Sequence, residues 1–92
     1  MKITTAYMGQ LQHQADKENE AREYPDGTSI LEVLRVLADE YGDVFTGILF
    51  DDSGGLRPSV MLLHNEAPVS KDALPALQDG DSLTLLAAIA GG

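Results

Sequence analysis

The sequence predicts an α+β domain, one main helix packed on one face of a mixed sheet of four to five strands. Three stretches carry that prediction. Residues 28–42 repeat apolar side chains at helical spacing between a cap and a glycine. Residues 2–8 are β-branched and aromatic, as strands are. Residues 82–89 form an uncharged apolar run that leaves an Asp-Gly-Asp turn. A chain of 92 residues is one domain, since domains run about 50–250 residues. No internal repeat, linker or low-complexity tract divides it.

Lys2-Ile3-Thr4-Thr5-Ala6-Tyr7-Met8 is the first expected strand, closed by Gly9. Gln10 to Asn19 is polar and reads as a loop. Its metal-capable pair, His13 and Asp16, falls short of the three or four ligands a site needs, so no metal is expected. Glu20-Ala21-Arg22-Glu23-Tyr24 alternates weakly and reads as an edge strand guarded by charge, pairing with the first as a hairpin. Pro25-Asp26-Gly27 ends it as a turn.

The helix follows. Ser29 with Glu32 makes a capping-box pattern, with Thr28 as the competing cap. Ile30, Leu34, Leu37 and Tyr41 recur at helical spacing, beside Leu31, Val33 and Ala38, while Glu32, Arg35, Asp39 and Glu40 supply the polar face. Gly42 is expected to end it in the left-handed conformation. In Asp43 to Phe50 the apolar spacing is helical but Thr46-Gly47 opposes a stable helix, so a short helical turn is expected. Asp51-Asp52-Ser53-Gly54-Gly55 reads as a loop, without calcium-ligand spacing or a phosphate-loop lysine.

Ser59-Val60-Met61-Leu62-Leu63-His64 is a strand, with Pro58 at its start where no ladder donor is lost. Asn65-Glu66 turns the chain, and Ala67-Pro68-Val69 returns as a very short strand. His64 has no nucleophile and orienting acid around it at recognisable spacing and reads as structural. Leu74-Pro75-Ala76-Leu77 is expected to be a single helical turn before Asp79.

Six basic residues stand against fifteen acids, a net charge of −9. Such a chain is repelled by phosphate backbones and by anionic membrane surfaces, so neither nucleic acid nor membrane is an expected partner. The charge suits solubility, or steering towards a basic protein surface. There is no cysteine, hence no disulfide, no thiolate metal site and no persulfide carried on a side chain. Met1-Lys2-Ile3 begins no apolar stretch of signal-peptide length, so a cytoplasmic protein is expected.

The last fourteen residues are the most informative. Asp79-Gly80-Asp81 turns, Ser82 to Ile89 runs apolar and is too short to span a membrane, and Gly91-Gly92 follows with no polar cap. Two glycines without side chains lie easily in a narrow channel, which leaves the terminal carboxylate as a candidate working group. A carboxylate resists acyl chemistry and would need activation, for example as an acyl-adenylate.

The turn, the apolar strand and the Ala-Ile-Ala-Gly-Gly end resemble the ThiS/MoaD-type sulfur carriers, ubiquitin-like proteins of the β-grasp fold. The Ala-Ile-Ala-Gly-Gly end and the extra loop from Asp51 to Pro58 look more like the MoaD-type branch. The resemblance implies one β-grasp domain over residues 1–92, with a flexible tail at 89–92 and with its first and last strands parallel at the sheet centre. It also implies that the chain is no enzyme but a protein co-substrate. A MoeB/ThiF-like activating enzyme would use ATP and magnesium to adenylate Gly92, with Gly91 giving access. A thiocarboxylate would form there and pass sulfur to a synthase or its large subunit, as in molybdopterin biosynthesis. The chain itself would hold no cofactor. A ubiquitin-like modifier joined through Gly92 to lysines, or a plain binding module, are the alternatives.

Strand parity extends this to a surface. Leu83 and Leu85 are expected inward, and Leu86 outward with Thr84 and Ala88. In Val60-Met61-Leu62-Leu63 both parities are apolar, so one pair must face out. Met61 and Leu63 are joined to Leu86, Thr84 and Ala88 as the expected docking patch.

Overall fold

The computed structural model describes residues 1–87. Strand β1 (Lys2–Met8) leads through helix α1 (Gln10–Ala15) to strand β2 (Asn19–Glu23), then to helices α2 (Ile30–Tyr41) and α3 (Asp43–Leu49). Strands β3 (Val60–His64), β4 (Ala67–Pro68) and β5 (Ser82–Ala87) complete the order. The five strands form one sheet in the order β2-β1-β5-β3-β4. The β1–β5 pair is parallel and the other pairs are antiparallel. This is the expected β-grasp arrangement, with the last strand at the centre.

Alternation along the strands divides the sheet into a covered and an open face. Ile3, Tyr7, Val60, Leu62, Leu83 and Leu85 are buried and pack with Val33, Leu34 and Leu37 of α2 and Phe45 and Leu49 of α3. Helix α2 starts where its capping box places it: Ser29 Oγ accepts from Glu32 N, and Glu32 Oε1 accepts from Ser29 N, both at 3.1 Å. Ser29, not Thr28, is therefore the cap. Gly42 ends α2 at φ 94° and ψ −169°. That positive-φ conformation belongs almost wholly to glycine and differs from the expected left-handed helical one. The same residue starts α3, so the two helices meet at one glycine.

Three further expectations are corrected. The stretch after Gly9 is a helix rather than a polar loop, because Leu11 and Ala15, four residues apart, both reach the core. The expected short turn at 43–50 is a helix of seven residues, despite Thr46-Gly47. Thr46 Oγ1 donates to Gly42 O at 2.8 Å, and Phe45 and Leu49 are fully buried, so packing overrides propensity. The helical turn expected at Leu74–Leu77 is absent. Pro75 disfavours helical backbone at Leu74, and buried Leu77 with partly buried Leu74 anchors the segment on the core.

Candidate functional site

The site grows out of β5, whose start is fastened on both sides. Asp79 Oδ1 accepts from Lys2 N at 2.6 Å, and Gly80 N donates to Lys2 O at 2.9 Å, docking the turn onto β1. Gly80 sits at φ 87°, as the turn motif requires. Across β5, Asp81 Oδ2 accepts from Gln78 N at 2.9 Å and lies 2.7 Å from His64 Nε2. His64 first, then Asn65 and Gln78, hold the Asp81 carboxyl down at about 2. Asn65 Oδ1 accepts from Ser82 N at 2.8 Å. Asn65 and Glu66 both take positive φ, at 49° and 72°, which closes the β3–β4 hairpin with two residues. His64 is thus a structural clamp, as the sequence suggests.

A slip of one residue would turn every β5 side chain to the other face. These clamps fix the register. Thr84 pairs with Ala6 and Leu63; Leu86 pairs with Met8 and Met61. Leu83 and Leu85 face the core and Leu86 lies on the open side, as parity predicts. The choice left open in β3 resolves as Met61 with Leu63, since Val60 and Leu62 are buried. Met61 is 53% exposed. Met61, Leu63, Thr84 and Leu86 are therefore brought together on adjacent strands. Ala88, Gly91, Gly92 and the tail at 89–92 lie outside the described residues.

The sequence reading missed Met8, which is 47% exposed and completes a row across three strands with Leu86 and Met61. Its signal was available: Ile3, Thr5 and Tyr7 face in, so Met8 faces out. Beside this row lies a shallow groove lined by Leu86, Met61, Pro68, Val69 and Lys71. The Lys71 ammonium donates to the carbonyls of Arg57, Pro58 and Val60 at 3.1, 2.9 and 2.8 Å, using all three of its protons. That clasp holds the 69–73 segment against the start of β3.

A second polar cluster lies on the covered side. Glu20 of β2 accepts from Tyr7 Oη at 2.5 Å, from Arg22 Nε at 2.7 Å and from Tyr41 Oη. Arg22 also grips Glu40 through both terminal nitrogens, at 2.7 and 2.6 Å. Tyr7, Tyr41 and Phe45 stack edge-on or tilted, with centroids 5.3–6.0 Å apart. Burial pushes the Tyr7 hydroxyl far up, and the Glu20 carboxylate adds to it. Burial alone would raise Glu20, but hydrogen bonds from Tyr41, Tyr7 and Arg22 outweigh it and hold that carboxyl at about 2. The sign follows directly. A lowered folded-state value adds stability that is whole above about 4.5 and is lost as pH falls through about 2. Glu20→Gln is expected to lose on the order of 2 kcal/mol at neutral pH. Its deficit against the wild type should shrink between those pH values in parallel thermal melts; curves of constant separation would contradict the network.

Among the described residues no group of three or more His, Asp or Glu side chains could hold a metal ion. No helix of the described residues is long and apolar enough to cross a membrane.

The ThiS family model matches residues 6–92. No curated protein sequence matches the chain. Among solved structures, the HVO 2177 protein of Haloferax volcanii is 28% identical, with all of this chain and 87% of that one covered and a TM-score of 0.85. SAMP1 of the same organism is 18% identical, with both chains fully covered, at a TM-score of 0.85. A chain of the Amycolatopsis orientalis BexX/CysO complex is 25% identical, with 98% and 99% covered and a TM-score of 0.69.

Proposed function

This chain belongs to the ThiS family, and from that membership we propose that it is a sulfur carrier whose reacting group is the carboxylate of Gly92. The observation that carries the proposal is the reach of the family match, which runs through Gly91 to Gly92. The similarity to a chain of the BexX/CysO complex supports a role exercised in complex with other proteins.

The chemistry needs no catalytic side chain from this protein. A carboxylate oxygen of Gly92 attacks the α-phosphorus of ATP, held with magnesium by a MoeB/ThiF-like activating enzyme, and pyrophosphate leaves. A sulfide equivalent then adds to the acyl carbon and expels AMP, leaving a thiocarboxylate. Its sulfur is a better nucleophile than the oxygen it replaced and passes to an acceptor on a synthase, as in molybdopterin assembly. Gly91 keeps the last peptide units thin enough for the enzyme's channel. The chain acts as substrate, and ATP and magnesium act on the enzyme.

The open sheet face fits the docking of that enzyme. Leu86 is six residues from Gly92, so an enzyme gripping the terminus must stand within about 20 Å of it. Within that reach the exposed apolar row of Met8, Leu86 and Met61, with Thr84, Leu63 and the adjoining Ala88, is the surface proposed to meet it. The net charge of −9 favours a basic enzyme surface and fast encounter. Leu86→Asp is expected to weaken binding by more than about 1 kcal/mol, as for a contact near an interface centre. Its thermal midpoint should stay near that of the wild type, because Leu86 is not in the core. Titration of the enzyme with both proteins checks this; unchanged affinity would remove the open face from the interface.

A second reading is supported by one observation. SAMP1 proteins are small archaeal modifier proteins, and the fold of SAMP1 matches over the whole chain. In that reading a lysine amine of another protein attacks the acyl carbon of the same acyl-adenylate, AMP leaves with the amine's proton lost, and an amide bond to Gly92 forms. Incubation with the activating enzyme, ATP and a sulfur source, followed by intact mass, tests both: sulfur on the terminus supports the carrier, and higher-mass adducts support the modifier.

A further inference from the structure

The open face carries two of the three methionines, and the register sets them in one row. Met8 of β1 and Met61 of β3 both pair with Leu86. Paired residues project to the same side of a sheet and touch. Met8 and Met61 are about half exposed, whereas Met1 is packed partly buried against the core. The chain has no cysteine, so thioethers are the only oxidisable sulfurs among its side chains. A thioether is soft and apolar, whereas a sulfoxide is polar and a strong hydrogen-bond acceptor.

We infer that Met8 and Met61 form a paired oxidation site, at which a peroxide-class oxidant converts the Met8–Leu86–Met61 row from apolar to polar and withdraws the open face from the activating enzyme. The consequence for activation rests on the docking proposed above; the site itself rests on the register and the exposure. Each thioether sulfur attacks one peroxide oxygen. The O–O bond breaks, an S–O bond forms, and the second oxygen leaves as water after proton transfer. Sulfur loses the two electrons that the peroxide gains. Reduction by a methionine sulfoxide reductase with a thiol donor reverses the change. Folding is spared because Ile3, Tyr7, Val60, Leu62, Leu83 and Leu85 hold the core from the opposite face. One oxygen on each side of Leu86 places two polar groups where an apolar contact would form.

The test treats the full chain with hydrogen peroxide, quenches with catalase, and follows each methionine by peptide mass. Met8 and Met61 should oxidise several-fold faster than Met1, with the circular dichroism spectrum unchanged. Equal rates at all three, or loss of the fold, would overturn the site, and this arm needs no enzyme. The treated protein then serves as substrate in ATP–pyrophosphate exchange, where its KM should rise by about tenfold or more, the scale of a lost central contact. Sulfoxide reductase should restore the original value. The double variant Met8→Leu, Met61→Leu, measured against its own untreated form, should show the same KM before and after peroxide, whatever its starting value. An unchanged KM for the oxidised wild type, or an equal rise in the double variant, would overturn the switch. Failure of the untreated protein to support exchange would instead count against the carrier reading.

Discussion

Deletion of Gly91 and Gly92 is expected to abolish ATP–pyrophosphate exchange with the activating enzyme, by at least about a thousandfold, while the thermal midpoint stays within a degree or two. The reasoning separates chemistry from folding. Glycines have no side chains to place in a core, and the described core closes without them. Every inward side chain of β5, Leu83, Leu85 and the partly buried Ala87, lies upstream of the deleted pair. The clamps on β5 at Asp79, Asp81 and Asn65 lie farther upstream still. The truncated chain would end in a carboxylate too, but that of Ala90, two residues short of the reacting position. An enzyme that binds the open face holds its reactive centre at a fixed distance from Leu86, so two residues, about 7 Å of extended chain, are decisive. Exchange at the wild-type rate by the truncated protein would remove Gly92 from the chemistry.

The opposite partition is expected for Phe45→Ala. Phe45 is fully buried on α3 and meets both Tyr7 and Tyr41 edge-on or tilted. Truncation to alanine leaves a cavity and removes two aromatic contacts, at a cost of about 3–5 kcal/mol. Against a stability of about 5–15 kcal/mol for a domain, that leaves a protein near its unfolding threshold. Chemical denaturation should show the loss as a lower midpoint. Exchange should fall with the folded fraction and recover at low temperature, since the open face and terminus are untouched. A loss below about 1 kcal/mol would mean that α3 is peripheral rather than part of the core.

The contrast between the terminal pair and Phe45 shows what the sequence made legible. Helix α2 could be read directly because its capping box and apolar spacing are local and agree with each other. The β5 turn could be read because Asp-Gly-Asp has one main use, and the parity of Leu83, Leu85 and Leu86 followed from a strand covered on one side. Phe45 sits in a segment whose Thr46-Gly47 argues against a helix, and only tertiary packing reverses that balance. Leu11 and Ala15 form too short an apolar pattern to reveal α1 against its polar neighbours. The Tyr7–Glu20–Tyr41 cluster unites residues from β1, β2 and α2, whose meeting depends on the fold and not on any spacing. Met8 was readable as an outward residue, but its place beside Leu86 depends on the parallel β1–β5 register. Local chemistry could be read from the chain; long-range juxtaposition could not.

The central claim is that sulfur travels on the carboxyl carbon of Gly92. The direct measurement is the mass of the C-terminal peptide after the full chain has been incubated with the activating enzyme, ATP, magnesium and a sulfide source. The account predicts a terminal Gly91-Gly92 peptide in which one carboxyl oxygen is replaced by sulfur, formed only when ATP is present and lost on alkylation-sensitive transfer to an acceptor. A terminal peptide that keeps both oxygens while pyrophosphate exchange proceeds would contradict it.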